Sequence, residues 1–326
     1  MRPSAASVDR LTAAAHQAFA EAVQFYLMQT PRELPSEFFY DALGSALFEA
    51  ICELPWYRIT RAERALLAAH GAKIWSLADP VSTVVELGPG SGDKLATLLD
   101  ARTIARSTTV HLVDVSAAAL SLAARTLGEL DNVTIVPHRA PYETGLIDAT
   151  GTRGRSGRTL IAFLGSNIGN FDPPGADEFL RSVRRSLLPR DVLLVGADLV
   201  KPERDLLLAY DDPLGITAAF NRNLLLRINR ELGGDFNLER FVHRAVWNAA
   251  HSRVEMHLVS TARQRVIVRD AAIDITFEPD EPIWTESSYK YEPDGIVNVL
   301  ERAGFRRLGQ WLDDDARFAV TLVQAV

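Results

Sequence analysis

The apolar positions along the chain fall into three successive rhythms, and each predicts a different kind of element. Residues 8–29 carry apolar groups at helical spacing until the Pro31, Pro35 pair breaks the pattern. A second helical stretch then runs from Phe38 to about Leu54. From Ser82 the rhythm changes. The β-branched run STVVELG ends in glycine, the helix-like LATLLDARTIA follows, and a second strand, VHLVDVS, leads into a second helix, AAALSLAARTLGEL. NVTIVPH, TLIAFLGSNIG and DVLLVGADLV continue as short apolar runs, with helical segments such as DEFLRSVRRSLL between them. Short apolar strands alternating with helices predict a parallel, doubly wound sheet over about residues 80–200.

After Lys201 the alternation stops. Residues 203–232 read as helices broken near Pro213 and Gly215. FVHRAVWNAAHSRVEMHLVSTARQRVIV and AAIDITFEP then alternate polar and apolar positions, as an antiparallel sheet with one solvated face would. DGIVNVLERAGF is helical, and RRLGQWLDD and RFAVTLVQAV are two further strands. The sequence contains no internal repeat, low-complexity tract or long linker.

Composition narrows the partners. The 326 residues, 47% of them hydrophobic, can build a large core in one domain or two interleaved ones. A net charge of −7 gives no electrostatic reason to bind a polyanion, so nucleic acid is not an expected partner. The single cysteine, Cys52, cannot form an internal disulfide and reads as a small buried apolar side chain. With only seven scattered histidines beside it, no metal site is expected. The N-terminal segment has no continuous apolar core, and charges interrupt each later hydrophobic run before the roughly 20 residues of a membrane span. The expectation is a cytoplasmic protein that handles a small molecule, with no membrane contact and no obligate protein partner inferred.

ELGPGSGDK (86–94) lies between an expected strand and an expected helix, where a glycine turn lets the backbone approach a ligand at the carboxyl end of the sheet. Asp114 ends the second strand, the usual place of an acidic group that accepts from ribose hydroxyls. Dinucleotide enzymes and methyltransferases share both features. A diphosphate, however, favours glycines in the G-x-G-x-x-G register. Here they are Gly88, Gly90 and Gly92, and the Asp93 carboxylate would repel a polyanion. Glu86 followed by G-x-G instead resembles motif I of class I methyltransferases, whose ligand is a sulfonium cation with a zwitterionic tail. Taken alone, the motif also fits a glycine turn without a ligand, or another nucleotide.

Longer strings extend the resemblance. FFYDALGSALFEAICELPWYRITRAE (38–63), ELGPGSGDK, FLGSNIGNF (163–171), DLVKPERDLLLAYDDPLGITAAFNRNLLLRINREL (198–232), RVEMHL (253–258) and TESSYKY (285–291) resemble, in this order, the L-histidine Nα-methyltransferases of ergothioneine biosynthesis. The resemblance implies an α/β fold: a class I methyltransferase core with a doubly wound, mostly parallel sheet, and a second α+β substrate-binding domain built from the N-terminal helices and an insertion. The expected division is residues 1–61 and 201–288 for the substrate-binding domain, and 62–200 and 289–326 for the core.

Carried over position by position, the resemblance implies that S-adenosylmethionine meets Tyr57, Gly88, Lys94 and Asp114, with Tyr142 against the adenine. Lys94 would pair with the methionine carboxylate and Asp114 would take the ribose hydroxyls. The amino-acid substrate is assigned Tyr40, Phe48, Tyr57, Gly165, Asn170, Tyr210, Met256, Glu286 and Ser288, with Tyr40 and Tyr57 closest to the chemistry. Asn170 and Tyr210 offer neutral hydrogen-bonding groups to a carboxylate and an amine. Glu286 and Ser288 face the same way if their segment is extended, and a carboxylate beside a hydroxyl suits an imidazole. Outside the resemblance, Glu286 reads as a surface carboxylate, Met256 as core and Lys94 as a solvated helix residue. The sequence departs from the family at Pro141, which replaces an acidic residue, and at Arg58 and Ile59. The implied reaction is methylation of the α-amine of free histidine, three times in succession, to the betaine hercynine. Competing readings are the same fold acting on another free amino acid or small amine, a catalytically silent cofactor binder, and a nicotinamide oxidoreductase.

Overall fold

A computed structural model describes residues 5–102, 107–151 and 157–326, with side chains from residue 15 onward. The N-terminal helix α1 (Ala5–Leu27) stops short of the prolines and gives way to a two-residue strand, β1 (Arg32–Glu33), and a 3-10 turn at Ser36–Phe39. Helix α2 (Ala42–Cys52) begins later than the Phe38 of the sequence reading because Asp41 caps it, its Oδ1 accepting the Gly44 N–H at 2.6 Å. Then follow α3 (Ile59–Ala78), β2 (Val81–Leu87), α4 (Asp93–Asp100), β3 (Thr108–Asp114), α5 (Ala117–Leu127), β4 (Val133–Arg139), α6 (Tyr142–Gly151), β5 (Arg158–Phe163), α7 (Pro173–Ser186) and β6 (Val192–Asp198). The expected helix over LATLLDARTIA ends at Asp100, and its last residues, 103–105, lie outside the described residues. Beyond Lys201 come α8 (Glu203–Tyr210), α9 (Ile216–Leu232), β7 (Phe241–Asn248), β8 (Arg253–Ser260), β9 (Gln264–Val268), β10 (Ile273–Phe277), β11 (Pro282–Tyr289), α10 (Pro293–Arg302), β12 (Phe305–Asp313) and β13 (Phe318–Ala325).

The chain divides into two compact units. The larger comprises Cys52–Leu206, Asn248–Arg253 and Ser287–Val326. Its sheet, among the described residues, runs β12-β13-β6-β5-β2-β3-β4. Neighbours from β6 to β4 are parallel, and β13 joins β6 and β12 antiparallel. The first strand of the series, β2, lies in the middle, with β3 and β4 laid down on one side and β5 and β6 on the other. The winding reverses between β2 and β5, and in open α/β sheets ligands bind outside the carboxyl ends of the strands at such a point. This is the doubly wound, mostly parallel α/β sheet expected of a class I methyltransferase core. Val85, Leu87, Val113, Ile161 and Phe163 pack with Leu146 of α6, Phe179, Leu180 and Val183 of α7, and Leu300 of α10.

The smaller unit comprises residues through Ile51, Leu207–Trp247 and Val254–Glu286. The sequence suggests one antiparallel sheet here, but the strands separate into two. One has the order β1-β11-β8-β7, in which β1 runs parallel to β11, and the other is the antiparallel pair β9 and β10. The boundary after Ile51 falls ten residues before the expected one. The reason is that α3 packs on β6, β12, β13 and α4, and Arg61 donates to the Leu54 and Pro55 carbonyls, which binds the approach to α3 into the larger unit. Among the described residues no helix is long and apolar enough to cross a membrane.

Candidate active site

At the carboxyl end of β2, the turn is built from three glycines in left-handed conformation: Gly88 (φ +72°), Gly90 (φ +55°) and Gly92 (φ +83°). The Gly88 N–H donates to the Val113 carbonyl at 2.9 Å, which sets the turn beside Asp114. A Cβ at Gly88 would lie 2.7 Å from the Tyr142 hydroxyl and 2.8 Å from Asn167 Nδ2. The structure therefore gathers Gly88, Tyr142 and Asn167. The Tyr142 ring meets Phe163 edge-on at 5.6 Å, and burial, with Asp114 and Glu143 adding, raises its phenol well above the usual value. Burial also raises the Asp114 carboxyl, although the Ser116 N–H donates to its Oδ1 at 2.7 Å. At the end of β2, Glu86 is buried with Oε2 unpartnered. Desolvation pushes its carboxyl well above the ordinary range, Lys94 opposing and Glu63 and Asp114 reinforcing.

Lys94, in the first turn of α4, places Nζ 3.0 Å from Glu63 Oε2 of α3. The same oxygen accepts the Gly165 N–H at 2.8 Å. Gly165 is also left-handed (φ +77°), and a Cβ there would lie 2.8 Å from Lys94 Nζ. Burial disfavours the Lys94 ammonium, but Glu63 outweighs it, with Cys52 and Glu86 adding, so the amine stays charged. Sequence reasoning missed Glu63, whose side chain is 0% exposed. Its signal was present: Ile59, Ala62, Glu63, Leu66 and Leu67 form one buried helical stripe, and a glutamate in such a stripe is a buried charge that needs a partner.

A second buried charge cluster lies at the end of β6. Asp198 pairs through Oδ2 with Lys290 Nζ at 3.0 Å and through Oδ1 with Lys201 Nζ at 2.6 Å. Lys290 also donates to Ser288 Oγ at 2.9 Å, and the Asp198 N–H donates to Ser166 Oγ at 2.9 Å. Ser288 is thus only 3% exposed and anchored to an ion-pair network. Asn170, at the end of the 3-10 turn Asn167–Asn170, is exposed. Tyr57 is buried, its N–H donating to the Leu54 carbonyl at 3.2 Å.

In the smaller unit, Tyr40 and Phe48 meet with ring centroids 5.7 Å apart, and both rings contact Phe220 of α9, at 5.8 and 6.0 Å. Phe220 was not foreseen. Asp41 fixes this corner: besides capping α2 it accepts from Asn223 Nδ2 at 2.8 Å and pairs with Arg230 at 2.7 Å. Burial works against its charge, but these hydrogen bonds hold its carboxyl below the usual value. The Tyr210 carbonyl accepts from His243 Nε2 at 2.7 Å, while His243 Nδ1 accepts from Asn221 at 2.8 Å. That pattern is satisfied by a neutral imidazole, and burial lowers the His243 pKa accordingly. Met256 is 1% exposed among Val254 and Leu258, and its carbonyl accepts from Thr285 at 3.0 Å. Glu286 is half-buried, its carbonyl taking the Trp284 indole N–H at 2.8 Å.

Residues 19–325 match the family of histidine-specific, S-adenosylmethionine-dependent methyltransferases. The chain belongs to that family. It is 40% identical over 311 residues to a histidine N-alpha-methyltransferase of Mycobacterium tuberculosis, covering 95% of each chain. It is 39% identical over 310 residues to one of Mycolicibacterium smegmatis, covering 94% of this chain and 95% of that one. Similarity extends to an L-tryptophan methyltransferase of Psilocybe serbica, 30% identical over 327 residues and covering 90% and 88% of the two chains.

The methyltransferase uses S-adenosylmethionine, and the turn at the end of β2 fits that cofactor's chemistry. Gly88 leaves open the space that a Cβ would fill, Glu86 Oε2 is a buried acceptor without a partner, and Asp114 is a second desolvated carboxyl close by. Glu63 and Asp114 act electrostatically on Glu86, so these surroundings are rich in carboxyl groups. Such surroundings suit a cation with a zwitterionic tail and oppose a diphosphate.

Proposed function

We propose that this methyltransferase methylates the α-amino group of free L-histidine, in three successive transfers that yield histidine betaine (hercynine), as the first step of ergothioneine biosynthesis. The observation that carries the histidine assignment is the extended strand β11, where Glu286 and Ser288 alternate onto one face as a carboxylate acceptor and a hydroxyl. The 40% identity to a histidine enzyme across nearly the whole of both chains supports it. We place the protein in the cytoplasm, acting on its small-molecule substrate without an obligate protein partner.

In this reading Gly88 admits the methionine part of the cofactor to the backbone, Lys94 pairs with its carboxylate, Asp114 takes the ribose hydroxyls, and Tyr57 and Tyr142 line it. Pro141 offers no acid for the adenine amino group, so Tyr142 supplies the aromatic contact there with Glu143 adjacent to it. Tyr40, Phe48, Tyr57, Gly165, Asn170, Tyr210, Met256, Glu286 and Ser288 serve the amino acid. When bound, the cofactor supplies a methyl on a sulfonium, whose departure leaves a neutral thioether. The protein's own work is to align the attacking nitrogen and keep bulk water away. An ammonium has no lone pair, so the amine must lose its proton first, and an α-amine is mostly protonated near neutral pH. We assign no dedicated strong base. The proton leaves through a water held at the phenol oxygen of Tyr40 or Tyr57.

The test is to incubate the protein with S-adenosylmethionine and an equimolar mixture of the twenty amino acids, and to read products by mass. A histidine species carrying three added methyl groups is expected. The tryptophan-methylating relative makes another free amino acid the second reading, and methylation confined to a different amino acid would replace histidine with it.

A further inference from the structure

Glu63 is buried at a cost that fold stability does not explain. An ionised carboxylate loses several kcal/mol on desolvation. The sequence also places Gly196 in the middle of β6, where glycine weakens a strand, because a methyl there would overlap Glu63 Oε1. An apolar side chain at position 63 would avoid the desolvation loss. Glu63 Oε1 has no hydrogen-bond partner, so the whole polar engagement of the side chain falls on Oε2, which holds Lys94 Nζ at 3.0 Å and the Gly165 N–H at 2.8 Å.

We propose that Glu63 is a positioning residue that couples the cofactor and amino-acid subsites, one oxygen aiming the Lys94 ammonium at the cofactor's carboxylate and also holding the left-handed turn at Gly165. The inference rests on the assignments of Lys94 and Gly165 under the proposed function. Lys94 is a flexible side chain, 23% exposed, and without an anchor its ammonium would spread over several rotamers. With the anchor, one N–H is spent on Glu63 and the direction of the other two is fixed. The pair is net neutral, so its value lies in aim rather than in bulk attraction. Gly165 belongs to the same device, since a side chain there would collide with the ammonium and strain the turn.

The experiment compares wild type, Glu63→Gln, Lys94→Met and the double variant in three measurements: calorimetric titration with S-adenosylmethionine alone, kcat and KM for histidine, and thermal melting. Glutamine keeps the size and an acceptor for Gly165 but removes the charge. Glu63→Gln is expected to weaken cofactor binding about 10-fold, the scale of a charge-assisted hydrogen bond, and to raise the histidine KM. Because Glu63 acts through Lys94, adding Glu63→Gln to Lys94→Met should weaken cofactor binding no further. Multiplying losses in the double variant, or unchanged cofactor affinity in Glu63→Gln, would overturn the proposal. If Glu63→Gln does not fold, Glu63→Asp, which keeps the charge but shortens the reach, takes its place with the same expected non-additivity. A wild type that binds cofactor but forms no methylated histidine would refute the substrate reading, while the titrations still decide the coupling.

Discussion

In the larger unit, ionisable groups are buried or half-buried close to the carboxyl ends of parallel strands: Glu86 at β2, Asp114 at β3, Asp198 at β6, with Lys94, Lys201 and Lys290 beside them. In the smaller unit the assigned side chains are aromatic or neutral except for Glu286, at the unit's edge. Tyr40, Phe48 and Phe220 share ring contacts, and Tyr210 is held by a His243–Asn221 chain without a formal charge. The difference suits a division of labour. A sulfonium with a zwitterionic tail needs oriented charges, whereas an uncharged attacking amine is best held by neutral groups that do not stabilise its protonated form. On the proposed assignments, variants of the glycine turn and of the buried ion pairs in the larger unit should therefore register as lost ion pairing or cofactor affinity, and variants of the assigned side chains in the smaller unit as amino-acid kinetics at constant cofactor affinity.

The largest effect is expected from Lys290→Met, which strips one cation from the buried Asp198. Breaking a buried pair from one side costs about 3–5 kcal/mol, to be read from urea unfolding. A loss under about 1 kcal/mol would mean that Lys201 alone neutralises Asp198 and that the charge network of the larger unit matters less than drawn. Next, Gly88→Ala forces a side chain into a left-handed turn and against the Tyr142 hydroxyl. Strain of about 1–3 kcal/mol corresponds to roughly 5- to 150-fold weaker cofactor binding, measured by titration, and undiminished binding would remove Gly88 from the cofactor site. On the other side of the comparison, Glu286→Gln should lower kcat/KM for histidine by about 10-fold, the loss of one charged hydrogen bond, with cofactor affinity unchanged. A parallel drop in both constants would dissolve the division.

The smallest effect tests the one carboxylate that organises the aromatic corner. Asp41 has a folded pKa below its ordinary 3.8, so its contribution is fully present above the unfolded value and is lost as the pH falls through the folded one. Asp41→Asn should cost about 1 kcal/mol at neutral pH, the scale of a lost helix cap, and the gap to wild type should narrow below about pH 4. A gap that stays constant with pH would show that the charge of Asp41 contributes nothing.

The strands of the parallel sheet were legible because strands covered on both faces read as near-continuous apolar runs. Helix α6 was not, since Gly145 depresses helical signal; the structure needs glycine there because a Cβ would overlap Val113 and keep α6 off β3. Helix α3 was dimmed by Glu63 within its apolar stripe. The polar run TESSY gave β11 only as a conditional extended segment. At the site, the glycine turn and Asp114 could be read from the strand ends that carry them, whereas Lys94 came only with the family resemblance. Glu63 and Lys94 are 31 positions apart, and Asp198 and Lys290 lie further still, so only tertiary packing reveals either pair. Asn167, Phe220 and His243 gave no local sign of their contacts. The amino-acid residues were named through family resemblance rather than through any pattern of their own.

The central claim is that the α-nitrogen of histidine receives the methyl groups. The most direct measurement supplies S-adenosylmethionine carrying a 13C-labelled methyl together with L-histidine, and follows the product by NMR. We expect the label in a single trimethylammonium signal correlated with the histidine Cα. Label on an imidazole nitrogen, or no labelled histidine from a protein that binds the cofactor, would contradict the account.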